Sequence, residues 1–264
     1  MPRFKLLIEY AGTRYSGWQI QKNARTVQGE IDRAVREVSK RPEFELYGAG
    51  RTDAGVHALA QVAHLELYTD LPPESLRRKL NDELPPDIHI RAIDKAPHRF
   101  HARHDAVARC YLYQISRRRT AFGKPFVWWI REPLDVGAMR EASAAFVGMK
   151  NFEAFTADDP EDKSTRVLVD GIDIAEAGAL ILLRVQGSHF LWKMVRRMVG
   201  VLAAIGRGEL KPSDAARLLE EPPGATKPAA LAAPAAGLFL EAVLYKGDPG
   251  PGAIRPVLNI EPSA

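Results

Sequence analysis

The sequence has almost no cysteine: one residue, Cys110, in a chain of 264. A lone thiol forms no intrachain disulfide, so a disulfide-stapled domain is excluded. Cys-rich zinc sites are excluded with it. Long apolar runs are missing as well, since no stretch approaches the roughly 18 uninterrupted apolar residues of a membrane helix. The opening MPRFKLLIEYAG has too short an apolar part for a secretory leader and carries Glu9 inside it. The expected compartment is therefore the cytoplasm, with no membrane partner.

What is present is an ordinary globular composition, 46% hydrophobic and 27% charged. The length suits one large domain or two modest ones. The net charge of +4 permits a nucleic-acid partner without requiring one. That charge is unevenly spread. Residues 91–124 hold nine basic side chains against two acids, an excess of +7, interleaved with Phe100, Tyr111, Tyr113 and Phe122. Cations meet phosphates and rings stack on unpaired bases, so the segment suits RNA. The plain structural account of the same residues is a solvated basic face over core aromatics.

Hydrophobic periodicity predicts strands at 3–10, 43–48, 61–68 and 87–95, and helices at 26–40, capped by Thr26, and 73–84. The second half repeats this order, with strands at 107–116, 165–175, 179–187 and 237–245 and helices at 135–147, 189–205 and 211–220. Two β-α-β-β-α-β halves imply an α+β fold: two split-βαβ, ferredoxin-like units with antiparallel sheets joined side by side and helices on one face. The expected division is 1–104, 105–247 and an irregular tail, 248–264. The Pro- and Ala-rich stretch 222–236 reads as a low-complexity linker.

The segment with the most distinctive chemistry is GAGRTDAGVHA, residues 48–58. It lacks the GK[ST] ending of a P-loop, and Asp53 stands where a dinucleotide fingerprint needs its third glycine. No metal-ligand spacing accompanies it. What remains is one carboxylate beside Arg51, a cation that favours the ionised form a nucleophile needs. The nearest other acids are Glu45 and Glu66, so no paired-carboxylate mechanism is visible. A turn-capping Asp paired with Arg51 is the structural alternative.

GAGRTDAGVHA resembles the signature of the bacterial tRNA pseudouridine synthase A family. EYAGTRYSGWQIQ, ARCYLYQI, GSHFLWKMVRRMVG and APAAGLFLEAV resemble further family segments, in family order. The resemblance implies isomerisation of uridine to pseudouridine at positions 38, 39 and 40 of the tRNA anticodon stem-loop. It implies tRNA as partner, no cofactor and no metal, a homodimer, and an active-site cleft between the halves. Asp53 matches the catalytic aspartate, attacking C1′ of the sugar or C6 of the base. Tyr111 matches the tyrosine that stacks on the target base. Arg196 matches the arginine that pairs with the catalytic Asp, and Arg51 the arginine that helps hold the vacancy left by the flipped nucleotide. Leu238 matches an apolar pocket position, while Phe239 departs from the family's frequent tyrosine. Tyr15, Trp18 and Gln19 of the opening loop offer stacking and hydrogen-bonding groups for RNA.

A base inside a stem must be flipped out, and unstacking costs a few kcal/mol. A buried carboxylate also needs a counter-ion to stay ionised, the part expected of Arg196. Two rival classes are a non-catalytic RNA-binding protein built of two split-βαβ modules and an aspartate-nucleophile phosphotransferase. The first would want aromatic RNP1 residues on a central strand, and the second further acids for Mg²⁺ near Asp53. Neither feature is in the sequence.

Overall fold

The computed structural model describes residues 1–157, 164–220 and 226–262. Residues 222–225, at the start of the stretch read as a linker, and 263–264, at the end of the tail, lie outside the described residues. The chain forms two compact units, Met1–Val107 with Phe239–Gly250, and Ala108–Leu238 with Pro251–Ala264.

In the first unit, β1 (Arg3–Tyr10) alternates strictly, with Phe4, Leu6, Ile8 and Tyr10 buried. Period-2 alternation is what a strand with one core face requires. The loop after β1 leads to α1 (Val27–Ser39), where the Thr26 hydroxyl accepts the Gly29 N–H at 3.2 Å. That bond satisfies one orphan donor of the first turn. Val27, Ile31, Ala34 and Val35 form the buried stripe of this helix. Then come β2 (Glu45–Gly48), β3 (His57–Glu66), α2 (Pro73–Glu83) and β4 (Ile88–Ala96). α2 packs on β4 and α1 packs beside α2. β1 lies between β4 and β3, antiparallel to both.

The second unit begins within β5 (Ala106–Ser116) and continues through β6 (Trp128–Trp129), α3 (Val136–Ser143) and β7 (Gly148–Asn151). It goes on with β8 (Arg166–Ala177), β9 (Leu180–Gly187), α4 (Met194–Gly206), α5 (Asp214–Leu219) and α6 (Thr226–Ala230). Its sheet runs β5–β9–β8–β7, all antiparallel, with β6 pairing in parallel with the last two residues of β5. β9 is buried along nearly its whole length. α3 and α4 pack together, and α3 also reaches β8. The last strand is β10 (Leu238–Tyr245).

The α+β class holds, with five differences in detail. β10 was assigned to the second half, yet Phe239 and Leu240 pair in parallel with His57 and Ala58 of β3. It belongs with the first unit, and that sheet is not purely antiparallel. β3 starts four residues before the expected strand because β10 and β1 supply ladder partners at His57 and Ala58 that local sequence does not reveal. The first part of the predicted 189–205 helix is loop. Lys193 adopts a left-handed conformation (φ 63°), and the helix begins after it. The two-residue β6 and the short β7 and α6 have no periodicity to detect and were not anticipated. The described part of the tail, to residue 262, has no regular structure but is bound to the second unit. Ile260 is buried, its carbonyl accepts the Ala179 N–H at 2.8 Å, and buried Arg184 donates to the Gly252 carbonyl at 2.8 Å.

One buried histidine makes the first unit acid-sensitive. His64 of β3 accepts the Ala102 N–H on Nδ1 at 3.1 Å, which requires that nitrogen to be unprotonated. Burial, then the neighbouring His101 and Arg3, push its pKa from 6.5 down to about 4. Between those values the unfolded chain takes up the proton that the folded chain refuses. Stability is therefore complete above about pH 6.5 and falls as the pH drops towards 4. His64→Gln should flatten that slope, read as the change in urea midpoint between pH 7 and pH 5. An equally steep slope in the variant would contradict this account.

Candidate active site

Asp53 sits on the loop between β2 and β3, and its residue is half-buried. The backbone around it is fixed from several sides. The Thr52 carbonyl accepts the Trp18 N–H at 3.1 Å, the Asp53 carbonyl accepts the Val56 N–H at 3.1 Å, and the Tyr15 carbonyl accepts the Gly55 N–H at 3.3 Å. The Thr52 hydroxyl shares a 2.8 Å hydrogen bond with the Tyr10 hydroxyl. On the entry side, the Ala49 N–H donates to the Val62 carbonyl at 2.7 Å, and the Gln61 amide donates to the Gly50 carbonyl at 3.0 Å. Hydrogen bonds reaching the loop from several elements hold it in one conformation.

Two glycines of the opening loop make this contact possible. A Cβ on Gly12 would stand 1.9 Å from the Val56 carbonyl oxygen. A Cβ on Gly17, whose φ is +92°, would stand 2.4 Å from the Thr52 oxygen. Only glycine permits such backbone approach, and only glycine readily takes that φ. The Gly12 N–H also donates to His57 Nδ1 at 3.0 Å, and the His57 ring stacks on Phe239 at 4.8 Å. Phe239 therefore fills a buried stacking position where a hydroxyl is not required.

Tyr15 and Trp18 are corrected by this geometry. Both were expected to face RNA, yet they are only 3% and 1% exposed. The Tyr15 hydroxyl donates to Asp87, and burial followed by that bond raises its pKa above the usual phenol value. Trp18 packs near Tyr10, with ring centroids 6.1 Å apart. Both residues are tied to the Asp53 loop through their backbones, Trp18 to Thr52 and Tyr15 to Gly55. Gln19 is half-buried on the same segment, and Arg51 is exposed.

The remaining predicted residues belong to the second unit. Tyr111 and Tyr113 lie two apart on β5 and point the same way, so periodicity cannot separate them. Their environments do. Tyr113 is fully buried and its hydroxyl donates to the Pro234 carbonyl at 2.8 Å. Burial pushes its pKa well up, with nearby Arg196 pulling the other way. Tyr111 is at the margin of the core, 9% exposed, edge-on to Phe190 at 5.2 Å. Tyr113 is thus the structural tyrosine of the pair.

Arg196 of α4 is half-buried rather than on a solvated face. Its Nε donates to the Ala233 carbonyl at 2.7 Å, while its own carbonyl accepts the Ala233 N–H at 2.9 Å. Arg197 donates to the carbonyls of Ala154 and Thr156, and burial lowers its pKa. Leu238, which opens β10, is 5% exposed.

The basic segment 91–124 is divided between the units, and part of its charge is engaged within the second. Arg117 pairs with Glu176, Arg118 donates to the Glu261 carbonyl at 2.5 Å, and Arg119 lies 5.9 Å from the Trp129 ring. Tyr10, Gly12, Thr52 and His57 were not singled out as a frame for Asp53 by sequence reasoning. Their signal was a second glycine-bearing segment, residues 9–21, whose Gly12 and Gly17 had no assigned purpose.

Fold and loop together define an α+β protein that presents one carboxylate from a firmly held loop. The sequence pattern described as tRNA pseudouridine synthase matches residues 6–105 and 142–246. The tRNA pseudouridine synthase A of Paramagnetospirillum magneticum is 40% identical over 253 residues, covering 95% of this chain and 98% of that protein. The tRNA pseudouridine synthase A of Pseudothermotoga lettingae is 38% identical over 246 residues, covering 92% and 99%. The chain belongs to the tRNA pseudouridine synthase family and is an isomerase acting on tRNA.

Gly12→Ala should disturb the loop while the chain still folds. A misplacement of about 1 Å can cost on the order of 100-fold in rate. Pseudouridine formation by the variant should therefore drop by about that factor, with a cooperative melting transition retained. A variant with wild-type kcat/KM would show that the contact does not position the loop.

Proposed function

We propose that the protein converts uridine to pseudouridine at positions 38, 39 and 40 of the tRNA anticodon stem-loop, with Asp53 as nucleophile on a flipped-out uridine. The observation that supports this most directly is the single carboxylate on the fixed Gly-rich loop, half-buried above a frame of paired backbone groups. A nucleophile held this way loses little orientational freedom on reaching the reacting carbon.

The reaction balances without an external reagent. The C1′–N1 bond breaks, the base rotates, and a C5–C1′ bond forms. The C5 proton departs and N1 ends protonated. No oxidant, reductant or group donor is consumed. Asp53 attacks C1′ or C6 and is released when the new bond is complete. On this reading Tyr111 stacks on the target base, with its hydroxyl placed to relay the C5 proton. Arg196 keeps Asp53 ionised, and its bond to the Ala233 carbonyl restricts how its guanidinium can turn. Exposed Arg51 helps hold the space vacated by the flipped nucleotide, and Leu238 gives the base an apolar neighbour. Gln19 remains available for polar contact with RNA. Family resemblance supports a cytoplasmic homodimer as the working form.

Asp53→Ala separates this reading from a non-catalytic RNA-binding role. With a tRNA transcript carrying tritium at uridine C5, the wild-type protein should release tritium as the C5–C1′ bond forms. The variant should release none above background while still retaining tRNA on a filter. Release at the wild-type rate by Asp53→Ala would refute the nucleophile.

A further inference from the structure

The first unit contains a cavity of about 340 Å³ that the chemistry above does not use. That size falls at the lower end of the roughly 300–1,000 Å³ range of small-ligand sites. Three lysines line it, Lys5, Lys95 and Lys246, against two carboxylates, Asp94 and Asp105. Asp105 is already committed, accepting the His101 N–H at 2.8 Å.

The aromatic wall is fixed too. The Tyr245 hydroxyl donates to the Ala102 carbonyl at 2.7 Å, and Phe100 lies against the Tyr245 ring with centroids 5.2 Å apart. The Lys5 ammonium is 4.3 Å from the Tyr245 centroid and 5.7 Å from that of Phe100. Cation–π attraction of this kind holds a lysine head in place without neutralising it. Lys95 and Lys246 are exposed. The cavity therefore offers an excess of one positive charge, two exposed lysines and an apolar wall.

Its place on β1 limits which nucleotide it can take. Lys5 precedes Tyr10, the residue bonded to Thr52, by five strand positions. At about 3.3 Å per residue this is roughly 17 Å, too far for the nucleotide that Asp53 attacks. We infer that the cavity binds a nucleotide unit of tRNA outside the anticodon stem-loop, with its phosphate against the lysines and its ring and sugar along Phe100, Ala96 and Pro97. The inference rests on tRNA being the substrate and adds a second anchoring point to it.

The test is the double variant Lys95→Glu/Lys246→Glu of the full chain, compared with wild type in binding to whole tRNA and to the isolated anticodon stem-loop. Each lysine–phosphate contact contributes about tenfold in affinity near 0.1 M salt, and about one unit of slope against log salt. Whole-tRNA Kd should rise about 10- to 100-fold with a slope shallower by about two, while stem-loop Kd stays unchanged. No change for whole tRNA, or an equal loss on both RNAs, would overturn the inference. Saturable binding of free uridine monophosphate that these substitutions abolish, with whole-tRNA Kd unmoved, would assign the cavity to free nucleotides and overturn it too. Wild-type protein that binds whole tRNA but forms no pseudouridine would count against the proposed function and leave this binding comparison standing.

Discussion

Close approach of two backbone segments is the constraint on which the first unit's candidate site depends. Residues 12–17 lie so near residues 52–56 that side chains at Gly12 and Gly17 would overlap carbonyl oxygens. Once the segments touch, backbone groups on both of them find partners. Trp18 donates to Thr52, Gly55 to Tyr15, Gly12 to His57, and Tyr10 shares a bond with Thr52. Burial makes these bonds costly to break one at a time, because an unpaired donor or acceptor would lose about 1–3 kcal/mol of solvation. The loop thus behaves as part of the sheet, and Asp53 inherits that rigidity.

The second unit applies a similar economy to the segment before β10. Tyr113 holds Pro234 and Arg196 holds Ala233, so two buried or half-buried side chains fix consecutive carbonyls. Arg196, read from the sequence as a chemical candidate, shares this structural task with Tyr113, the strand neighbour that periodicity could not separate from Tyr111. Arg196 is named in the catalytic reading as well, and its Nε bond to the Ala233 carbonyl serves both parts by restricting how the guanidinium can turn.

Much of this was legible in the sequence where the cause was local. β1 showed itself by strict alternation, and α1 by Thr26 at its start and an apolar stripe at helical spacing. GAGRTDAGVHA stood out because its glycines flank one acid with no accompanying acidic partner. What escaped was set by residues far apart in the chain. β10 finds its partner in β3 some 180 residues earlier, so no local pattern marks it as a first-unit strand. Trp18 and Tyr15 look like surface aromatics in a polar, glycine-rich loop, and only the folded contact with the Asp53 loop explains their burial. The basic run at 91–124 looked like one surface because charge was summed along the chain, whereas the fold distributes it between units and pairs part of it.

The central claim is that this isomerase acts at one short stretch of the anticodon stem-loop. The most direct measurement is single-nucleotide mapping of pseudouridine in an unmodified tRNA transcript with uridines at positions 38, 39 and 40 and elsewhere, after incubation with the purified protein alone. The account predicts new pseudouridine at those three positions, with every other uridine unchanged and no added cofactor. Modification confined to another arm of the tRNA, or none at positions 38–40, would contradict it.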